Sequence, residues 1–271
     1  LRIDYSILEQ HAEAYRKIRN TFRYLMGNLN DNFSEQDYEK IKINNLPELE
    51  QYMLHKLYVL NENFNKNFKL YNFHALYKDL LNFCTVDLSS FYFDIRKDTL
   101  YCEKKNSDKR MNSILTLNVI LDGLLRSFAP ILSFTTEEIF KLINKDNSNS
   151  IHLKKFPKYP SSWKNEKLNS NWSKIMNIRE NVNISIETKR AEKLIGSSLE
   201  TTVEIRLNKD LYDLVKNYDF SEICITSGAN VILDEKIKEN IEVETLKAEG
   251  NKCSVCWKIS KDKCERHGNI Q

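Results

Sequence analysis

Between positions 5 and 29 the residues Leu8, His11, Tyr15, Ile18, Phe22, Leu25 and Leu29 recur at steps of three and four. That spacing places them on one side of a helix and on no face of a strand. The pattern repeats. Leu49, Met53, Leu57, Leu60, Phe64 and Phe68 form a second stripe, and Phe73, Leu76, Tyr77, Leu80, Leu81 and Cys84 a third. A fourth runs from about Ser107 through Met111, Ile114, Leu115, Leu121, Leu124 and Leu125 to Phe128, where Pro130 stops it. Gly27 with Asn28 predicts the end of the first helix. Thr135 and Glu138 have the spacing of a capping box opening a short helix, TTEEIFKLI. Several stripes of this length joined by short connections predict a mainly α fold opening on an antiparallel helical bundle.

The pattern changes after residue 144. NKDNSNS is polar and turn-rich, and two of the four prolines fall in FPKYP. A helix is expected from Trp172 to Leu194, stopped at Gly196. TTVEIRL then alternates, with Val203, Ile205 and Leu207 on one face. NKDLYDLVKNY has an Asn208 cap and helical spacing, and EICIT, NVIL and EVETL read as short strands. The expected organisation is a helical domain at 1–157, a linker and small α/β junction module at 158–250, and a zinc-knuckle tail at 251–271. A length of 271 residues suits two or three domains, and 41% hydrophobic with 29% charged residues allows a real core.

In the tail, Cys253 and Cys256 form a C-x2-C pair, and Cys264 and His267 a C-x2-H pair. Each spacing lets one tight turn aim two side chains at one ion. Together they supply the four tetrahedral ligands of a structural zinc site and leave no open place for a catalytic water. A redox pair or a chance clustering is the other reading, but no strand-to-helix junction follows the pair, as redox sites require. Such a metal contributes about 10 kcal/mol or more to a module too small for its own core. Cys84, Cys102 and Cys224 stand singly, which is not a disulfide framework and predicts a reducing, cytoplasmic setting. No apolar run reaches membrane-span length and LRIDYSILEQ does not read as a signal peptide. The chain does not begin with Met, as a fragment would not.

The catalytic motifs of nucleotide enzymes, zinc proteases and serine hydrolases are absent, and only six glycines occur, too few to favour a phosphate-cradling loop. His11 and His74 fall on apolar stripes and are expected as packed core residues. His55 and His152 have no evident catalytic partner. The acidic residues mostly sit near lysines on helix faces. A binding region, not a catalyst, is the expectation.

Arg16, Arg19 and Arg23 step along one flank of the first helix with Lys17 beside them. They would meet phosphates of a nucleic-acid backbone, or simply form a solvated face. Arg179, Lys189, Arg190 and Lys193 form a weaker cluster. Lys252, Lys258, Lys261, Lys263 and Arg266 surround the cysteine turn, where Trp257 follows the second cysteine. Trp257 suits either a base-stacking platform for single-stranded RNA or a small hydrophobic plug beneath the metal turn. Net charge is only +3.

AEAYRKIRNTFRYLMGNL, VDLSSFYFDIRKDTLYC, LLRSFAPILSFTTEEIF, SIHLKKFP and the closing C-x2-C-W follow one another in an order that resembles the C-terminal half of bacterial-type isoleucyl-tRNA synthetases. The likeness runs from about residue 5 to 267 and is weakest at about 208–250. It implies a helical bundle that grips the anticodon stem, a junction module, and a zinc module that closes on the anticodon loop. Arg16, Lys17, Arg19, Arg23, Arg179, Arg190, Trp257, Lys258 and Arg266 are then the expected RNA contacts. Cys253, Cys256, Cys264 and His267 are the expected ligands of one zinc. Two departures stand out: the family usually has four cysteines with a longer middle loop, and sequences resembling HIGH and KMSKS are missing here, as is an editing domain. The resemblance therefore implies the tRNA-binding part of a monomeric ATP-dependent ligase whose N-terminal catalytic domain lies outside this chain. A freestanding zinc-containing RNA-binding or interaction protein is the alternative.

Overall fold

The computed structural model describes residues 4–29, 37–144, 149–237 and 240–268. It contains two compact units, 1–165 and 166–271. Most of NKDNSNS lies outside the described residues. Among the described residues, no helix is long and apolar enough to cross a membrane.

The first unit is helical: α1 (Tyr5–Leu29), α2 (Glu48–Lys69), α3 (Phe73–Asn82), α4 (Phe93–Cys102), α5 (Asp108–Phe128) and α6 (Ser133–Ile143). Ser107 caps α5 by accepting from the Arg110 amide at 3.3 Å. α5 is buried nearly all round and packs with α1, α2, α4 and α6, so it is the axis of the bundle. At Gly123 of this helix a Cβ would meet the Tyr159 hydroxyl, so a larger residue there would have to push that side chain aside.

Several expectations require correction. α1 runs through Gly27 and Asn28 to Leu29. His11 and His74 are exposed, because the α1 stripe is covered only from Ile18 onward and α3 turns its first residues to solvent. The core histidine is His55, whose Nδ1 accepts from the Asn165 amide at 3.0 Å. α6 begins at Ser133, two residues before the expected cap. Thr135 is buried and lies 2.8 Å from the Tyr15 hydroxyl, while Glu138 binds Arg19.

The third stripe does not end at Cys84. Phe83–Tyr92 continue α3 into α4 as a π-helical stretch. Ser89 donates to the Cys84 carbonyl at 2.8 Å and Ser90 to the Thr85 carbonyl at 2.9 Å, each five residues back, the interval of a π turn. This wider winding brings Tyr92 and Arg96 into the interior. There Arg96 makes two 2.6 Å bonds to Glu50 of α2, through Nε and Nη2. Tyr92 OH lies 3.2 Å and Ser113 Oγ of α5 lies 3.0 Å from the same carboxylate. All four side chains are buried. Burial pushes the Tyr92 phenol well above its ordinary range, and the neighbouring carboxylate adds to the effect.

The second unit sets α7 (Glu166–Ala191) against a three-stranded sheet of β1 (Thr201–Leu207), β2 (Gly228–Leu233) and β3 (Ile241–Lys247), in the order β2-β1-β3. β1 pairs with β2 in parallel (Val203 opposite Ala229) and with β3 antiparallel (Val203 opposite Thr245). Thr201, Val203, Ile205 and Leu207 are its buried face. Two short helices, α8 (Lys209–Val215) and α9 (Phe220–Ile223), connect β1 to β2. EICIT is thus not a strand: Asp219 caps α9 by accepting from the Ser221 and Glu222 amides.

α7 starts six residues before Trp172 and stops before Gly196. Its stop is Lys193, at φ 58°, with Lys193 N bonded to Arg190 O and Leu194 N to Lys189 O. Tyr71 (φ 55°) after α2 and Ile225 (φ 58°) after α9 repeat the same paired bonds. These are Schellman closures made without glycine.

Arg96→Ala leaves Glu50 charged and unpaired in the core. The expected loss is about 3–5 kcal/mol in urea unfolding, whereas the paired change Glu50→Leu with Arg96→Met should cost much less. Equal losses would mean that the pair itself, and not an orphaned charge, carries the stability.

Candidate metal centre and basic helix flank

Two short strands, β4 (Asn251–Lys252) and β5 (Ile259–Ser260), pair antiparallel and hold the Cys253–Lys258 turn between them. Cys253 N donates to Lys258 O at 2.9 Å and Trp257 N to Cys253 O at 3.0 Å. Gly250 has φ 124°, and a Cβ there would lie 2.1 Å from the Ser260 carbonyl oxygen, so the chain crosses itself where only glycine passes. The second turn is closed by Gly268 N donating to Cys264 O at 2.7 Å.

These turns bring Cys253, Cys256, Cys264 and His267 together, with all four donor atoms within 4.8 Å of one another. Cys256 Sγ lies 3.8 Å from Cys264 Sγ. His267 Nδ1 lies 3.6 Å from Cys253 Sγ and 3.4 Å from Cys264 Sγ. A tetrahedral ion with metal–sulfur bonds of about 2.3 Å and metal–nitrogen bonds of about 2.05 Å demands edges of about 3.8 Å and 3.6 Å. The donors fit, and His267 completes the set. The backbone N–H of Cys256, helped by that of Val255 and by His267, lowers the Cys253 thiol to about 6. Burial opposes ionisation of Cys264, but the amides of His267 and Arg266 outweigh it and lower that thiol too. Burial pushes the Cys256 thiol up. Cys253 is therefore poised as a thiolate, the form that binds metal, and Cys264 is shifted in the same direction.

The turn is fastened to the α/β unit by two serines. Ile259 N donates to Ser227 Oγ at 2.7 Å, and Ser227 in turn bonds the Leu199 carbonyl. Lys258 Nζ donates to Ser221 Oγ at 3.1 Å, and Ser221 bonds Asp219 at 2.7 Å. Lys258, expected as an RNA contact, is half-buried in this tether. Trp257 is 58% exposed, so it is not a plug. It holds φ 64°, and Lys252 Nζ stands 5.4 Å from its ring centroid. Arg266 is exposed.

On α1, Arg16, Lys17, Arg19 and Arg23 are all exposed. Arg16 pairs with Glu13. Arg19 reaches Glu138 of α6 at 3.1 Å and the Tyr15 hydroxyl at 3.2 Å, which fixes its guanidinium. Arg179 is half-buried and its Nε donates to Ile223 O at 2.9 Å; Arg190 pairs with Glu187. Sequence reasoning overlooked Glu50, Ser221 and Ser227. Glu50 had a signal: it lies four and seven residues before Leu54 and Leu57, a charge within an apolar stripe. The serines had none, since their partners are distant in sequence.

Comparison with known proteins gives a consistent result. The family model for the anticodon-binding domain of tRNA ligase matches residues 50–205. The isoleucine–tRNA ligase of Pelagibacter ubique (strain HTCC1062) is 64% identical over 269 residues, covering 99% of this chain and 29% of that protein. The isoleucine–tRNA ligase of Agrobacterium fabrum is 39% identical, covering 96% and 27%, and that of Carboxydothermus hydrogenoformans 40%, covering 96% and 29%. The chain spans less than a third of the length of these relatives, and it matches their C-terminal part.

Cys256→Ser removes one of four ligands from a site with no spare donor among the described residues. Metal analysis should show about one ion per chain in the parent and loss of it in the variant. Residues 251–268 should lose their amide protection while α1–α6 keep theirs. Unchanged metal content in the variant would refute the site.

Proposed function

Since the chain belongs to the family of anticodon-binding domains of tRNA ligases, we infer that it recognises the anticodon stem-loop of isoleucine tRNA as the C-terminal part of a longer isoleucine–tRNA ligase. The observation that carries this reading is the 64% identity to such a ligase along 99% of the chain. The longer protein would use ATP to join isoleucine to its tRNA in the cytoplasm, acting as a monomer. This chain would bind RNA and do no chemistry, in three parts: a bundle to about residue 157, a junction module to 250, and the metal-bearing tail.

Recognition divides by residue. Arg16, Lys17, Arg19 and Arg23 lie on an exposed flank of a rigid helix, and Arg19 is held by Glu138 and Tyr15 in a fixed direction. Guanidinium groups in such a row pair with successive phosphates of one strand and carry no sequence information. Discrimination falls to the tail. Zinc is the ion we assign to Cys253, Cys256, Cys264 and His267, because mixed sulfur and nitrogen donors at tetrahedral spacing suit it. Bound there, it supplies rigidity. Trp257 would offer its open indole surface to an unstacked loop base, with Arg266 near the following phosphates. Arg179 and Arg190 add charge along α7. Lys258 contributes chiefly by holding the turn to Ser221.

Two outcomes test this. Arg23→Ala should weaken binding of cognate and non-cognate tRNA about equally and lower the slope of log affinity against log salt by about one. Loss of discrimination at an unchanged slope would make Arg23 a base reader. Trp257→Ala should keep its metal yet bind the isoleucine anticodon loop about ten- to hundredfold more weakly, one stack being worth about 1–3 kcal/mol. Parental affinity in a metal-loaded variant would remove Trp257 from the interface.

A further inference from the structure

An aromatic ladder leads out of the bundle core at the corner between α2 and α3. Phe64 is buried. Its ring lies 5.8 Å from that of Phe68, and both meet Phe156, at 5.0 and 4.9 Å. Phe68 meets Phe73 at 5.9 Å and Phe73 meets Tyr71 at 6.3 Å, both edge to face. The last members of the ladder stand in solvent. Tyr71 is 80% exposed and Phe73 45%, next to Leu70 at 66%. Tyr71 is held there by the closure of α2, at φ 55° with its amide bonded to the Phe68 carbonyl at 3.1 Å. An open ring is thus fixed by its backbone and braced by its neighbour. A cavity of about 410 Å³ adjoins the ladder at Phe156, and Arg126, Lys155 and Lys158 also line it. Arg126 is bonded to Asp122 at 2.8 Å and donates to the Lys155 carbonyl at 3.3 Å, which anchors the segment that carries both lysines.

Charge decides what covers this surface. Lys66 and Lys69 stand exposed in the last turn of α2, and His74 and Lys78 on α3. Lys155 and Lys158 flank Phe156 and are exposed too. Among the described residues, none of these five lysines is in an ion pair. The carboxylates of the same segments are already engaged: Glu62 by Lys164 at 2.9 Å, Asp79 by Asn67 at 3.5 Å and, in the cavity wall, Asp37 by Lys40 at 2.9 Å. Glu39 remains as an acidic group of the cavity wall. Protein interface cores are rich in aromatic residues and poor in lysine, whereas surfaces for single-stranded nucleic acid interleave the two. Open rings among unpaired lysines therefore fit RNA.

We propose that Tyr71 and Phe73, with Lys66, Lys69, Lys155 and Lys158, form a second RNA-binding surface of the bundle, which takes an unstacked segment of the tRNA outside the anticodon stem-loop. This rests on the reading of the chain as a tRNA-binding part. No residue of the surface lies on α1 or in the tail, to which the anticodon stem and loop are assigned, so the segment it holds is a different one. A base lies on the open face of Tyr71, which every base can do because each has a π-face. The phosphates of the same segment meet Lys66 and Lys69 at the corner and Lys155 and Lys158 at the cavity.

The test measures the affinity of this chain for two probes, whole isoleucine tRNA and its isolated anticodon stem-loop. Tyr71→Ala should weaken binding of the whole tRNA about tenfold or more, as loss of one base–aromatic stack does, and leave the stem-loop affinity unchanged. Tyr71→Phe keeps the stacking face and should bind as the parent does. Both variants should unfold thermally like the parent, which a merely structural Tyr71 would not allow. Lys69→Ala and Lys155→Ala should each lower the slope of log affinity against log salt by about 0.7, for the whole tRNA only. Parental affinity and slope in all three alanine variants would overturn the second surface while leaving the anticodon reading intact. Equal losses on the isolated stem-loop would make the surface part of the anticodon interface and overturn it as a separate site. A parent chain that binds neither probe would overturn both readings. Parental tRNA binding by Tyr71→Ala, with Tyr71 shielded from hydroxyl-radical labelling in the RNA-free protein, would assign the patch to a protein contact and overturn the proposal.

Discussion

The bundle is organised around one carboxylate that water does not reach. Glu50 sits in the interior among apolar side chains, a placement that costs several kcal/mol unless the charge is met by both a partner ion and further hydrogen bonds. Arg96 meets it with two bonds, and Tyr92 and Ser113 take the remaining positions. The requirement is geometric as well as energetic. Arg96 lies in a helix continuous with α3 but must present its fork to α2, and the π-helical stretch from Phe83 to Tyr92 supplies the change of winding that allows it. α2, α4 and α5 are thereby locked in register by one polar knot. The apolar stripes supply the bulk of the packing; the knot decides which packing. α1, whose exposed arginines face outward, inherits its position from α5 and α6 and so from this arrangement.

The extent to which all this could be read from the chain follows from the range of the interactions involved. Helices announced by stripes were legible to within a few residues: the first stripe spans 5–29 and α1 is Tyr5–Leu29, although its stop was expected at Gly27 and Asn28, and the fourth stripe, expected from about Ser107, is α5 at Asp108–Phe128. The cluster of Cys253, Cys256, Cys264 and His267 was legible because its spacing is local and chemically specific. Most of what escaped was set by distant partners, though EICIT was missed over local capping. EICIT has the composition of a strand, yet Asp219 caps a helical turn there and Ile225 turns the chain back toward β2. Thr135 has the sequence of a cap but is needed against Tyr15, 120 residues away. His11 and His74 lie on apolar stripes, and periodicity alone does not say where along a stripe the neighbouring helix stops. The exposed flank of α1 was legible as a row of arginines, though not the carboxylate at Glu138 that orients the middle one.

The tail shows how a small module can be precise without a core. Two turns, four donors and a two-residue ladder fix its inner geometry, and Ser221 and Ser227 transfer that geometry to the α/β unit through single hydroxyl groups. Each serine both accepts from the tail and donates to its own unit, so neither can rotate freely. An indole mounted on such a turn would lose little further freedom if a base stacked on it, leaving the attraction correspondingly undiluted.

The left-handed residues have a wider bearing. Tyr71, Lys193, Ile225 and Trp257 occupy a backbone region that carries a penalty of about 1 kcal/mol or more for a side chain with a Cβ. A chain with six glycines in 271 residues closes its helices with whatever residue is at hand. Each such closure is a spring held under load: unwinding one turn relaxes the backbone at the moment it breaks two hydrogen bonds, and the two effects partly cancel. The joints after α2, α7 and α9 should therefore open at lower energy than the helices they terminate. Thermal motion in this protein would then gather at a few sharply defined corners, while the rods between them move as solid pieces.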